Sequence, residues 1–397
     1  MTLIVKPDSG NRDSGQAENP LKALINFGQS VWLDYIRRDL ISTGELARLI
    51  ENDGLRGMTS NPTIFEKAIA SSPDYLPALQ ELTKQKNLDA KGIYEQIAIR
   101  DIQDAADVLR RVYDATKRRD GYVSLEVSPY LANKTRETID EATRLWKAVA
   151  RENVMIKVPG TPEGIPAIRE LIGRGINVNV TLLFAQDVYE RVAETYIAGL
   201  EDLAKSGGDP SRVASVASFF VSRIDTLIDK KLAEMLKSPL AGLDTNVARN
   251  LQGKVAIANA KLTYAKYKEI FSGPRWQALV GRGATTQRVL WASTGTKNPA
   301  YSDVLYVDEL IGPDTVNTMP PATIDAFRDH GHPRASLEEN IDAAGKTMSD
   351  LARVGISMKA VTDQLTEDGV KLFADAFDQL LAAVDKQAKN VTATATR

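Results

Sequence analysis

Short apolar runs alternate with amphipathic stretches along most of the chain. Unbroken apolar runs of about four to eight residues are typical of strands buried on both faces, whereas apolar residues at helical spacing are typical of crossover helices. Pro, Gly and Asn end most of the runs, as expected at turns. The candidate strands are Ser30–Ile36, Gly57–Pro62, Gly121–Pro129, Val154–Gly160, Ile176–Phe184, Arg212–Asp225, Arg288–Pro299 with its loop, and Thr315–Pro321.

Eight such units, with no linker-like segment between them, predict a (β/α)8 barrel formed by one domain over about residues 20–388. Two stretches, about 66–118 and 227–287, are too long for a single crossover helix. They predict additional helices inserted after strands 2 and 6, and further helices follow strand 8 at the C-terminus. The polar ends predict a disordered tail over residues 1–19 and a frayed tail over residues 389–397.

Charge and composition narrow the classes of function. The chain has 50 Lys and Arg against 52 Asp and Glu, so its near-neutral charge predicts no nucleic-acid partner. It has neither a membrane-length apolar run nor a basic-then-apolar leader, which predicts no membrane partner and a cytoplasmic location. The absence of cysteine excludes disulfides and thiol catalysis.

Metal and cofactor chemistry find little support in the sequence. The two histidines, His330 and His332, lie together in one Pro/Gly-containing loop, which disfavours both a His-rich zinc site and a Ser-His-Asp triad. Gly160–Gly164 lacks the Gly-Lys-Ser/Thr ending of a phosphate loop, and Gly281–Gly283 lacks the third glycine of a dinucleotide fingerprint. We therefore predict no metal and no cofactor, and a lysine nucleophile gains by elimination.

The stretch Val154–Phe184 contains the most informative pattern. Lys157 interrupts an apolar strand, where its ammonium loses hydration and a free, nucleophilic amine is favoured. In the next strand Asn177, Asn179 and Thr181 share one face, because side chains alternate along a strand. An alternative reading is a lysine that extends to solvent at a strand end, beside asparagines that cap their neighbours.

Catalytic groups of (β/α)8 barrels project from the C-terminal ends of different strands. Polar residues that lie late in a candidate strand or just after one are Asp34, Asn61, Glu126, Lys157, Asn179, Ser218 and Lys297. Arg223 and Lys297 follow strands 6 and 7, where barrel enzymes often bind phosphate. Alternatives remain open: Asp34 and Asn61 as helix caps, and Arg223 and Lys297 as surface cations.

Several segments resemble the transaldolase family. GMTSNPTIF (Gly57–Phe65) and VMIKVPGTPEGIPA (Val154–Ala167) resemble its two signature stretches, and INVNVTLLFA (Ile176–Ala185) and SFFVSRID (Ser218–Asp225) match further segments in order. With SVWLD and VSLEVSP, the resemblance covers the chain from about Ser30 to Pro320. It implies a (β/α)8 enzyme of the pentose phosphate pathway that transfers a dihydroxyacetone unit between sugar phosphates. We separately expect a monomer or homodimer.

The resemblance also implies a role for each site residue. Lys157 would form the Schiff base with C2 of the ketose, and Asp34 would accept the C4 hydroxyl proton when the C3–C4 bond breaks. Glu126 and Thr181 would hold the water that carries protons during imine formation. The dihydroxyacetone hydroxyls would be bound by Asn61, Asn179 and Ser218, and the phosphate by Arg223.

One departure and two alternatives remain. Shorter members of the family have a second phosphate-binding arginine after strand 7, where this chain has Lys297; lysine keeps the charge but loses the bidentate fork. The long inserted segments resemble the longer transaldolase subgroup. A fructose-6-phosphate aldolase would release free dihydroxyacetone, but that enzyme has a glutamine where this chain has Glu126. A non-catalytic sugar-phosphate-binding barrel is the third possibility.

Overall fold

Eight parallel strands form a closed barrel in which each strand pairs with its neighbours in chain order. The computed structural model describes residues 19–85, 87–239 and 242–395, with side chains through residue 391. The (β/α)8 prediction is confirmed. The strands are β1 Gln29–Asp34, β2 Gly57–Thr59, β3 Tyr122–Glu126, β4 Val154–Pro159, β5 Val178–Leu183, β6 Ser215–Phe220, β7 Arg288–Ala292 and β8 Thr315–Met319.

Helices surround the barrel and extend it at the predicted places. α4–α6 follow β2, α10–α13 follow β6 and α15–α17 follow β8, as the sequence predicted. The helices are α1 Pro20–Ala23, α2 Arg38–Ser42, α3 Glu45–Asn52, α4 Pro62–Ser71, α5 Leu76–Leu82, α6 Ala90–Ala115, α7 Thr135–Val149, α8 Gly164–Gly173, α9 Gln186–Lys205, α10 Ser222–Lys237, α11 Thr245–Leu251, α12 Val255–Ile270, α13 Pro274–Val280, α14 Leu305–Asp308, α15 Pro321–His330, α16 Ile341–Arg353 and α17 Met358–Ala395. None of these helices is long and apolar enough to cross a membrane.

The sixth strand is shorter than its sequence predicted. It ends at Phe220, and α10 begins at Ser222, so Arg223 lies in the first turn of a helix and not at a strand end. The apolar run that ends at Val221 conceals this boundary, because buried strand and buried helix residues look alike over so few positions. Arg223 is therefore positioned by the start of α10.

The two chain ends bear on the predicted domain limits. Residues 1–18 lie outside the described residues, and Asn19 caps α1 by accepting a hydrogen bond from the Leu21 amide at 3.0 Å. At the other end, where a frayed tail was predicted from residue 389, α17 continues as a helix to Ala395. Residues 396–397 are not described.

The helix α17 runs back over the open, C-terminal end of the barrel. It packs against α4, α10 and the end of β5, all of which adjoin that end. The phenol of Tyr130 donates a hydrogen bond of 2.6 Å to Asp378 of α17, and Tyr94 of α6 meets Phe377 edge to face. The last helix thus covers one side of the barrel mouth.

Candidate functional site

A lysine and a carboxylate face each other at the C-terminal end of the barrel. In the strand register Glu126 of β3 lies beside Lys157 of β4, which lies beside Asn179 of β5. Positions in register on neighbouring strands point to the same side of a sheet, so all three side chains enter the barrel. Lys157 Nζ lies 3.6 Å from Glu126 Oε2, and the two side chains are only 6% and 4% exposed.

This pair is incompletely hydrogen-bonded. Lys157 Nζ donates to the Ser60 carbonyl oxygen at 3.1 Å. Both carboxylate oxygens of Glu126 and the hydroxyl of Thr181 are buried without a hydrogen-bond partner among the described residues. Buried polar atoms are almost always satisfied, so these oxygens are free to accept hydrogen bonds from water or from polar groups of a ligand.

A second buried ion pair in the same barrel differs from the Lys157–Glu126 pair in its hydrogen bonding. At the opposite end Arg288 Nη2 lies 2.8 Å from Asp120 Oδ1, and Ser30 Oγ donates to Asp120 Oδ2 at 2.8 Å. Burial raises the pKa of Asp120, but Arg288 and Ser30 outweigh it and the net pKa is lowered. That pair is satisfied and structural, whereas the pair at the mouth has oxygens left over for chemistry.

Asp34 ends β1 at the same mouth. Its Oδ1 accepts a hydrogen bond of 2.6 Å from Thr59 Oγ1, and that hydroxyl lies 2.7 Å from Thr318 Oγ1 of β8. Burial raises the pKa of Asp34, while the positive charge of Lys157 and the Thr59 hydrogen bond oppose the rise. A carboxylate with a raised pKa is suited to accept a proton near neutral pH.

A chain of amide and hydroxyl groups lies beside Lys157. Asn179 Nδ2 donates to Ser124 Oγ at 3.0 Å, and Ser218 Oγ donates to Asn179 Oδ1 at 2.6 Å. Asn61 caps α4 by accepting from the Ile64 amide at 3.0 Å, which was the alternative reading of this residue. Such a cap uses only the carbonyl oxygen, so the amide NH2 of Asn61 remains a possible donor to a ligand.

Arg223 lies between two aromatic rings. Its guanidinium carbon is 4.9 Å from the ring centre of Phe220 and 5.9 Å from that of Phe373 on α17. Contact through the faces leaves the N–H groups at the edge of the guanidinium plane available to bind an anion. Lys297 lies in the exposed loop after β7, and the charges of both cations act on Asp34.

Several residues at the mouth were missed by sequence reasoning. Ser60, Thr59, Ser124 and Thr318 all hydrogen-bond with site residues or with one another. Thr318 could have been found, because it lies late in a candidate strand like the others. Leu182 gave no such signal: it adopts a left-handed φ of 61° where the pairing of β5 with β6 shifts register. Strained backbone of this kind clusters at functional sites.

No cluster of three or more His, Asp or Glu suited to a metal ion occurs among the residues described. His330 is the last residue of α15, and its Nε2 is 2.8 Å from the Asp303 carboxylate. Both histidines pair with exposed or half-exposed aspartates and neither contacts the lysine site.

We expect Glu126→Gln to change how the free energy of unfolding depends on pH. Burial, opposed by Lys157, raises the pKa of Glu126 above its ordinary 4.5. The folded protein then holds a proton that the unfolded chain releases, so the wild type should lose stability as pH rises from 4.5 through the raised folded pKa.

The glutamine variant lacks this titration. Urea unfolding from pH 4 to 8 should therefore show the wild type losing up to about 1.4 kcal/mol per pH unit relative to Glu126→Gln within that window. Glu137→Gln, which changes an exposed carboxylate on α7, is the matched control. A pH-independent difference between wild type and Glu126→Gln would contradict the raised pKa.

The fold and the site define a class: a (β/α)8 barrel with a buried lysine facing a carboxylate at its catalytic end. The family model described as Transaldolase/Fructose-6-phosphate aldolase matches residues 31–384. A protein of Trichodesmium erythraeum named "Transaldolase" is 47% identical over 376 residues, 94% of this chain and 99% of its own. Another named "Transaldolase", from Thiobacillus denitrificans, is 46% identical over 92% of this chain and 99% of its own. The chain belongs to the transaldolase/fructose-6-phosphate aldolase family.

Proposed function

We propose that this protein is a transaldolase that transfers a dihydroxyacetone unit between sugar phosphates, as part of the pentose phosphate pathway. The observation that carries the proposal is the buried Lys157, whose Nζ lies 3.6 Å from Glu126 Oε2. Asn179 lies in register with it on the next strand, and the positive charge of Lys157 acts on Asp34. The names of relatives that match almost the whole chain support the same activity.

The reaction begins when the free amine of Lys157 attacks C2 of a ketose such as fructose 6-phosphate or sedoheptulose 7-phosphate. The C2 oxygen must leave as water for the imine to form, and this requires a proton donor. Glu126 and Thr181 offer otherwise unpartnered oxygens to a water that carries protons to and from this centre. The same groups would assist hydrolysis of the imine.

Cleavage follows when Asp34 removes the proton of the C4 hydroxyl. The C3–C4 electron pair moves toward the protonated imine, and the aldose phosphate leaves with a new C4 carbonyl. Asn61, Asn179 and Ser218 hydrogen-bond the hydroxyls of the retained three-carbon unit. An acceptor aldose, erythrose 4-phosphate or glyceraldehyde 3-phosphate, then forms the new carbon–carbon bond, and its carbonyl oxygen receives the proton from Asp34.

The phosphate group would be bound by the N–H groups of Arg223, whose guanidinium lies near the rings of Phe220 and Phe373, and by Lys297 from the loop after β7. Sugar phosphates are therefore the proposed partners, and no metal or cofactor enters any step. A cytoplasmic location, a monomeric or homodimeric state and the absence of a nucleic-acid partner stay predictions from the sequence.

We expect turnover to require an acceptor. With fructose 6-phosphate alone, glyceraldehyde 3-phosphate release should stop after about one equivalent per site, because the retained carbanion equivalent on Lys157 awaits an aldehyde. Adding erythrose 4-phosphate should restore multiple turnover and give sedoheptulose 7-phosphate. A coupled assay would measure the release of glyceraldehyde 3-phosphate, and mass spectrometry would identify the sedoheptulose 7-phosphate. Sustained release without acceptor, with free dihydroxyacetone accumulating, would instead identify a fructose-6-phosphate aldolase.

A further inference from the structure

Two carboxylates on α10, Asp225 and Asp229, lie outside the lysine site but on the same helix as Arg223. Asp225 and Asp229 are one helical turn apart and so occupy the same face of α10. Neither forms an ion pair with a Lys or Arg among the described side chains, and Asp225 is only 1% exposed. Buried carboxylates without a cation are costly, so this arrangement needs an explanation.

Both carboxylates accept hydrogen bonds from the same two parts of the chain, the start of α12 and the segment after β7. Asp225 accepts from the Ala256 amide of α12 at 2.8 Å and from the Tyr306 hydroxyl at 3.0 Å. Asp229 accepts from the Gly253 amide at 3.1 Å and from the Tyr301 hydroxyl at 2.7 Å. One oxygen of each therefore binds backbone N–H near the start of α12, and the other binds a tyrosine from the segment after β7.

Gly253 makes room for this contact. It has a left-handed φ of 70°, and a Cβ there would lie 2.8 Å from the ring carbon Cζ of Tyr301. Burial raises the pKa of Asp225 to about 7, although the hydrogen bonds from Ala256 and Tyr306 act to lower it. Both tyrosines belong to the segment that also carries Lys297, and both carboxylates belong to the helix that carries Arg223.

We propose that Asp225 and Asp229 are positioning residues of the phosphate-binding end: through Tyr306 and Tyr301 they hold the segment bearing Lys297 against the helix bearing Arg223. The inference rests on the proposed function. It also explains how Lys297 can bind phosphate from an exposed loop without the rigid fork of an arginine. The hydrogen bonds of Tyr301 and Tyr306 fix the position of the chain a few residues after Lys297.

The test removes one hydroxyl at a time. Tyr301→Phe and Tyr306→Phe keep the rings and lose only the hydrogen bonds, which should raise the KM for fructose 6-phosphate about 3- to 10-fold with kcat within about twofold. With fructose or dihydroxyacetone as donor, kcat/KM should not change, because no phosphate is bound. Tyr264→Phe, which removes a hydrogen bond of 3.0 Å to the Pro313 carbonyl far from the mouth, is the matched control.

A double-mutant cycle identifies the route of the effect. If Tyr301 acts through Lys297, Tyr301→Phe should add nothing to Lys297→Ala. Three results would overturn the inference: additive increases in KM for fructose 6-phosphate in the double variant, an equal loss of kcat/KM with the phosphate-free donors, or kinetics of Tyr301→Phe and Tyr306→Phe that match those of Tyr264→Phe.

Calorimetric affinity for inorganic phosphate provides a readout that needs no turnover. It should weaken in Tyr301→Phe and Tyr306→Phe and stay unchanged in Tyr264→Phe; unchanged affinity in all three would also overturn the inference. A wild type that binds phosphate but forms no imine would instead contradict the proposed function, so the two failures are distinguishable.

Discussion

Replacing Lys157 with alanine is expected to abolish turnover and imine formation while the barrel still folds. Without its nucleophile the enzyme has no covalent route, and kcat should fall by at least about 10⁴-fold. The variant also leaves Glu126 without its cation, so the pKa of Glu126 should rise further. A carboxyl group that protonates more readily costs less to bury, which limits the loss of stability. Circular dichroism and thermal unfolding would measure that loss.

A second buried lysine offers a matched control. Lys261 of α12 is 3% exposed, and its Nζ donates to the carbonyl oxygens of Ser336 at 2.9 Å and Glu339 at 3.1 Å. Lys261→Ala should cost stability, about 1–3 kcal/mol for the orphaned carbonyls, with kcat of the folded protein nearly unchanged. Turnover that survives in Lys157→Ala, or imine that disappears in Lys261→Ala, would contradict the assignment.

Asp34→Asn is expected to slow carbon–carbon cleavage by about 10²- to 10⁴-fold, the usual contribution of a general base. Imine formation should change far less, because the proton transfers of that step are assigned to Glu126 and Thr181. Quenching the variant with borohydride during turnover should therefore trap a six-carbon adduct that the wild type does not accumulate.

Thr59→Val provides a second check on the same carboxylate. It removes the 2.6 Å hydrogen bond that stabilises charged Asp34, so the pKa of Asp34 should rise. The acidic limb of the kcat/KM profile should accordingly move to higher pH. Equal losses of imine formation and cleavage in Asp34→Asn, or an unmoved acidic limb in Thr59→Val, would argue against Asp34 as the base.

The sequence was sufficient for the barrel and for much of the catalytic end, because both depend on local patterns. The strand period places Glu126, Lys157 and Asn179 facing inward, and the late position of each in its strand brings them to one end. Arg223 was recognised as following strand 6, but its place in the first turn of α10 was hidden by a continuous apolar run.

What could not be predicted depends on contacts between distant segments. Where α17 crosses the mouth, a Cβ on Gly369 would lie 2.9 Å from Leu182 Cδ2, and the left-handed backbone of Leu182 has no signature in the sequence. The Asp225–Tyr306 and Asp229–Tyr301 hydrogen bonds join residues 81 and 72 positions apart. Such pairings depend on the inserted helices as a whole, so single-sequence patterns do not reveal them.

Borohydride reduction during reaction with fructose 6-phosphate, read by peptide mass spectrometry, tests the central claim most directly. A three-carbon adduct on Lys157 is expected, because it requires both imine chemistry and completed cleavage at that residue. An adduct on another lysine, or no adduct on folded protein with substrate bound, would contradict it.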